Sequence, residues 1–172
     1  MRPVVAGVDG SEESLAAADW AAREAETRGV PLRVVHALEW RTGNVQFSPG
    51  VSAQREWAQS RIEEVRQAMA EARPRLGLTV EEVDELPAKA LLDAAREAEL
   101  LVLGSRGFGG FEGWLLGSVS LAVLAHAAVP VVLVRAREQE GAGPVVVGIG
   151  RDGSPEPLLD FAFAAAAARG AV

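Results

Sequence analysis

Leu100-Leu101-Val102-Leu103-Gly104-Ser105-Arg106-Gly107, followed after nine residues by Gly117-Ser118, is the stretch on which the interpretation of this chain turns. Four consecutive large apolar residues bounded by glycine read as a strand buried on both faces. The glycines after it are spaced G-x2-G-x9-G-S. A glycine turn that leaves a strand and feeds a helix lets backbone N–H groups approach phosphate oxygens, which a side chain at those positions would block. Gly104 frees the turn, Gly107 lets the loop fold back, and Gly117-Ser118 opens the next helix, with Ser118 placed to cap it. The stretch therefore predicts a βα unit whose turn holds a nucleotide. The competing reading is an ordinary glycine-rich βα turn, since Gly109, Gly110 and Gly113 also lie in the loop.

The same alternation of strand and helix extends in both directions. Strands are expected over Val4–Val8, Leu32–Leu38, Leu78–Val83, Leu100–Leu103 and Val131–Val134, and helices over Glu12–Arg28, Ser52–Arg73, Ala88–Glu97 and Ser118–Ala128. Ser11 is placed to cap the first helix and Gly29 to end it. This is the pattern of an α/β fold, a parallel sheet with helices on both faces, and an open, Rossmann-like five-stranded sheet of order 3-2-1-4-5 is the expectation. In that order the sheet reverses between the first and fourth strands, which end at Asp9 and Gly104. Ligands settle at the carboxyl ends of strands flanking such a reversal.

Composition narrows the ligand. The chain has 172 residues, 49% of them hydrophobic, which is enough for one good core and too little for two complete α/β domains. A net charge of −7 argues against nucleic-acid and anionic-membrane surfaces but allows a small anion held by local dipoles. The absence of cysteine excludes disulfides, thiol catalysis and cysteine-based metal sites. No stretch is long and apolar enough for a signal or membrane span, so the expectation is a cytoplasmic protein.

The glycine loop is neither a Walker A nor a dinucleotide fingerprint, since the only lysine is Lys89 and no G-x-G-x-x-G opens the first helix. Without a lysine on the terminal phosphates, efficient phosphoryl transfer is hard to build. Arg106 offers one positive charge to a phosphate or is a solvated loop residue. Asp9 reaches a ribose, a base or, through water, a magnesium ion; alternatively it forms an Asx turn. His36 and His126 read as packed or capping residues, and Glu81, Glu82, Asp84 and Glu85 as a solvated edge. Trp40–Gly50 reads as a lid or a plain crossover loop. The tryptophans at 20, 40, 57 and 114 are candidates for core or lid, and Trp114 and Phe111 for a nucleotide shield or subunit contact.

After a charged linker at 137–143 the chain begins again. Pro144-Val145-Val146-Val147-Gly148-Ile149 echoes Pro3-Val4-Val5-Ala6-Gly7-Val8, and Asp152-Gly153-Ser154 echoes Asp9-Gly10-Ser11. Residues 1–136 are thus expected to form one domain and 144–172 the incomplete opening of a second, which packs on the first, pairs with another chain or stays poorly ordered.

Together, Val8-Asp9-Gly10-Ser11, Val34-Val35-His36-Ala37, Val102 to Gly107, Leu115 to Ser120 and Pro130 to Arg135 resemble the ATP-binding form of the universal stress protein domain, whose G-x2-G-x9-G-[S/T] signature is complete here. The resemblance implies a five-stranded domain of the adenine nucleotide alpha hydrolase-like fold, ATP with Mg2+ as ligand, a homodimer often formed through the last strand, and a stress-linked regulator without an established reaction. It places Val8 and Asp9 near the adenosine and magnesium, and Ala37 on the adenine through its backbone. Gly104, Ser105, Gly107, Gly117, Ser118, Val119 and Ser120 would hold ribose and phosphates. Tandem forms occur in the family, and residues 144–172 resemble one cut short. The function this implies is a non-catalytic, nucleotide-dependent regulatory module. Its alternatives are a slow enzyme that hydrolyses ATP or transfers a phosphoryl or adenylyl group, and a dimerisation module without nucleotide.

Overall fold

The computed structural model describes residues 1–37, 49–106, 116–135, 143–150 and 155–171. The elements, in chain order, are β1 (Val4–Val8), α1 (Glu12–Arg28), β2 (Leu32–Ala37), α2 (Pro49–Ala72), β3 (Leu78–Val83), α3 (Pro87–Ala95), β4 (Leu100–Gly104), α4 (Ser118–His126), β5 (Val131–Val134) and α5 (Glu156–Arg169). The five strands form one sheet of order β3-β2-β1-β4-β5, and every pairing is parallel. The α/β class and strand order expected from the sequence are those observed.

Two compact units divide the chain, Met1–Ala136 and Arg137–Val172. In the first, β1 and β4 are buried along their whole length. Side chains alternate across the sheet, so each strand contributes to two layers. Val5, Val35, Leu101 and Leu103 pack with Leu91, Ala94, Ala95 and Ala98 of the α3 region and with Val123 of α4. On the opposite face, Val8, Val34 and Val80 meet Leu15 and Ala18 of α1 and Ile62, Val65 and Met69 of α2 around a small apolar gap.

α1 shows how local sequence sets the position of an edge. Ser11 accepts from the Ser14 amide at 3.3 Å, glutamates 12 and 13 sit at the positive end of the helix dipole, and Gly29 ends the helix at φ 66°. Its sheet-facing stripe is alanine (17, 18, 21, 22 and 25), which lets the helix lie close. Arg73, just past α2, reaches Asp19 at 3.0 Å and Glu26 at 3.2 Å and ties the two helices together.

The boundaries differ from expectation at helix ends. α2 starts at Pro49 rather than Ser52, because proline is suited to a first helical turn. α3 begins at Pro87 and stops at Ala95, where tighter turns take over, with Glu97 N donating to Ala94 O and Ala98 N to Ala95 O. α4 stops at His126, and Ala127 is already extended (ψ 135°) on the approach to Pro130.

In the second unit, α5 ends at Gly170 with φ 60°, repeating the end of α1. The segment 143–150 before it has no regular structure, so the strand implied by its echo of β1 is not formed. Val146 and Ile149 are 87% and 61% exposed.

Candidate functional site

The site expected at the sheet reversal lies where β1 and β4 end side by side, in a register that pairs Ala6 with Val102 and Gly7 with Leu103. Both strands run out into tight turns built from serine and glycine.

On the β1 side, Asp9 makes an Asx turn. Its Oδ1 accepts from the Ser11 amide at 3.0 Å and from Ser11 Oγ at 2.6 Å. Ser14, which the sequence patterns above do not single out, donates from its hydroxyl to Ser11 O at 2.9 Å and accepts from the Asp9 amide at 3.2 Å. The carboxylate is thus fixed at the sheet edge by the start of α1. The signal for Ser14 is the repeat Ser11-x-x-Ser14 after Asp9-Gly10, since serines three apart share one helix face. Gly10 has φ 86°, a conformation that favours glycine, and a Cβ there would lie 3.0 Å from Ala58 Cα.

On the β4 side, Gly104 fills a different need. A Cβ on it would come within 2.8 Å of Glu13 C and 2.9 Å of Ser14 N, so the backbone of β4 runs directly against the first turn of α1. Its carbonyl accepts from Ser120 Oγ at 3.0 Å, and Ser120 is buried. Ser105 is also buried; its amide donates to Val134 O at 2.7 Å and its carbonyl accepts from Gly117 N at 3.0 Å. The end of β4 is therefore stitched to β5 on one side and to the start of α4 on the other.

Gly117, not Ser118, is the N-cap of α4, at φ −77° and ψ 159°, so no side chain caps this helix. Ser118 is exposed and is the first residue of the helix, and Val119 is half-buried. The first amides of a helix have no partner within it, and those of Ser118, Val119 and Ser120 belong to this set. Arg106 is exposed and its Nη2 lies 3.5 Å from Glu13 Oε1, so its charge is held beside α1. Val8 is buried, and Ala37 closes β2 one residue past the Val8–His36 register pair. Gly107, the lid over 40–50 up to residue 48, Phe111, Trp40, Trp114 and Asp152-Gly153-Ser154 lie outside the described residues.

Other candidates settle into structural roles. His126 Nδ1 donates to Ala122 O at 2.9 Å near the end of α4. Trp20 is half-buried, and Trp57 is 46% exposed and not core. Glu81 pairs with Arg33 at 2.6 Å and Glu85 with Lys89 at 2.7 Å, which holds the Glu85 carboxyl below its ordinary range. Among the described residues no helix is long and apolar enough to cross a membrane.

A parallel five-stranded sheet covered by helices, whose strand order reverses between β1 and β4, defines a doubly wound α/β domain. A family model described as the universal stress protein family matches residues 1–135, and the chain belongs to that family. It is 37% identical over 180 residues to a universal stress protein of Mycolicibacterium smegmatis, covering 97% of this chain and 60% of that one. The chain thus spans about 60% of the length of such relatives. Among solved structures, a universal stress protein in complex with cAMP is 29% identical with a TM-score of 0.58, covering 79% of this chain and 98% of that one. The Archaeoglobus fulgidus protein in complex with dAMP is 26% identical with a TM-score of 0.51, covering 78% and 98%.

Proposed function

We propose that the first unit is an adenine-nucleotide-binding module, with ATP and Mg2+ as its ligand, that regulates by binding rather than by catalysis. The observation that carries this reading is the start of α4. Gly117 caps it without a side chain and is tied to Ser105 O, beside the end of β4, which sets the first-turn amides of the helix at the edge where phosphates would lie. Relatives of this fold and family hold cAMP and dAMP, which share the adenine base and one phosphate with ATP. Asp9, at the end of the neighbouring strand on the same carboxyl edge, suits a magnesium ion held through water. The hydroxyls of Ser11, Ser14 and Ser120 are spent holding the two strand ends in place, as a rigid binding edge requires.

Bound nucleotide would favour one state of the module and so change a dimer or partner contact. The second unit reads as the opening of a second domain of the same family, consistent with relatives longer than this chain. If that stretch associates between copies, its deletion changes the mass seen by light scattering.

Calorimetric titration of ATP with magnesium tests the site, with Gly117→Val as its control. Gly117 has an extended backbone that any residue adopts, so valine obstructs ligand approach without backbone strain. Saturable binding by the wild type that falls at least about tenfold in the variant is expected. Absence of binding in folded, nucleotide-free wild type overturns the proposal.

A further inference from the structure

Two helices start at the carboxyl edge where β1 and β4 end, and their first turns differ in charge. That of α1 holds Glu12 and Glu13 behind the Ser11 cap, whereas that of α4 holds no acid and no side-chain cap. An anion is therefore favoured at α4 and repelled at α1. Basic residues are scarce along both segments. Val8–Leu15 carries Asp9, Glu12 and Glu13 with no lysine or arginine, and Arg106 is the one lysine or arginine from Leu100 to Ala125. That cation is already engaged. Its Nη2 lies 3.5 Å from Glu13 Oε1, with the Glu13 side chain 23% exposed and that of Arg106 43%. Glu13 is brought there by the backbone, since a Cβ on Gly104 would come within 2.8 Å of Glu13 C. The carbonyl of Ser105, between Gly104 and Arg106, accepts from Gly117 N at the start of α4. A pair this loose and partly exposed adds little stability, so its effect is on the charge a ligand meets.

Resting on the adenine-nucleotide reading above, we infer that Glu13 is a specificity-determining residue for the phosphate end of the ligand. It neutralises Arg106 and keeps the edge net negative, so a nucleoside polyphosphate binds well only with a divalent cation, whereas a monophosphate binds without one. The first amides of α4 supply hydrogen bonds to one phosphate group but no net charge. Each further phosphate adds negative charge facing the carboxylates of Asp9 and Glu13, and in a partly exposed site each such repulsion changes affinity several-fold. A bound divalent cation supplies the missing positive charge. Arg106 released from Glu13 would supply it instead.

The experiment titrates AMP, ADP and ATP, each in EDTA and in magnesium, into wild type, Glu13→Gln, Glu13→Asp and the double variant Glu13→Gln with Arg106→Gln. In EDTA, wild type should bind ATP no more tightly than AMP, and magnesium should raise its ATP affinity by about tenfold or more while leaving AMP nearly unchanged. Glu13→Gln should raise metal-free ATP affinity by about tenfold and AMP affinity by about twofold or less, a gain that fades as salt is added. Glu13→Asp keeps the charge and should keep the wild-type ranking. The double variant removes one charge of each sign and should return to that ranking, whereas a merely structural role for Glu13 would move all three nucleotides alike. Tighter binding of ATP than AMP by metal-free wild type, or a Glu13→Gln variant whose AMP and ATP affinities change by the same factor or not at all, overturns the inference while leaving nucleotide binding intact. Failure of wild type to bind any of the three nucleotides in either condition overturns the function it rests on.

Discussion

The same sequence phrase meets two fates in this chain. Pro3-Val4-Val5-Ala6-Gly7-Val8 supplies the central strand of the sheet, with Val4–Val8 buried throughout and paired on both sides, whereas Pro144-Val145-Val146-Val147-Gly148-Ile149 forms no strand and exposes Val146 and Ile149. β-branched residues favour strands in both places, so propensity does not separate them. What separates them is the presence of β2 and β4 to take up the backbone hydrogen bonds and of helices to cover both faces. The functional edge follows the same rule: Asp9 is placed because β1 ends there between two neighbours.

A buried charge should separate the two copies of the phrase most strongly. Val5→Asp should cost about 4 kcal/mol or more, because it places a carboxylate in the core between β2 and β4. Val146→Asp, at a matching apolar place in the echo, should stay within about 0.5 kcal/mol by chemical denaturation. Similar losses at the two positions would erase the distinction between a paired strand and an unpaired one.

Glycines give the next step down. Gly104→Ala drives a Cβ against the backbone of Glu13 and Ser14 and should cost about 3 kcal/mol. Gly7→Ala meets only the ends of Leu91 and Leu103, each at 2.6 Å, and should cost about 1–3 kcal/mol as those leucines shift. Gly148, the counterpart of Gly7, has nothing within 4 Å of an added Cβ, so its alanine variant should be neutral in the same unfolding assay.

Surface charge on the first unit should matter least. Glu63 is exposed, and its paired bonds with Arg66, together with one from Gln67, lower its carboxyl from 4.5 to about 2. A carboxyl depressed in the folded state adds stability above its unfolded value and loses it as pH falls from about 4.5 towards 2. Glu63→Gln should therefore be slightly less stable than wild type at neutral pH, with the gap closing across that acid range. A gap that persists at the acid end would assign the difference to packing instead.

The parallel α/β sheet is legible in the sequence because apolar runs alternate with capped helices, the expected order 3-2-1-4-5 is the one observed, and Ser11 and Gly29 bound α1 where their chemistry puts them. The site's location follows from that order, since Asp9 and Gly104 end neighbouring strands. Its construction is not legible in the same way. The close approach of Gly104 to α1, the Ser120 hydroxyl on its carbonyl and the Arg106–Glu13 pair join residues far apart in sequence, and their partners are set by packing. Ser118 has the chemistry of a cap, but the tie from Gly117 N to Ser105 O starts α4 one residue earlier. The echo at 144–149 misleads for the opposite reason: its local pattern is right for a strand, and among the described residues no strand pairs with it.

Residue-resolved amide NMR during titration with AMP and then ATP–magnesium asks whether the carboxyl edge of the first unit is where nucleotide binds. The amides of Asp9, Ser105 and Ser118 to Ser120 should shift together and saturate, while those of 145–149 stay where they are. Shifts confined to the second unit, or a first unit whose carboxyl edge is indifferent to both nucleotides, would contradict the assignment of the site.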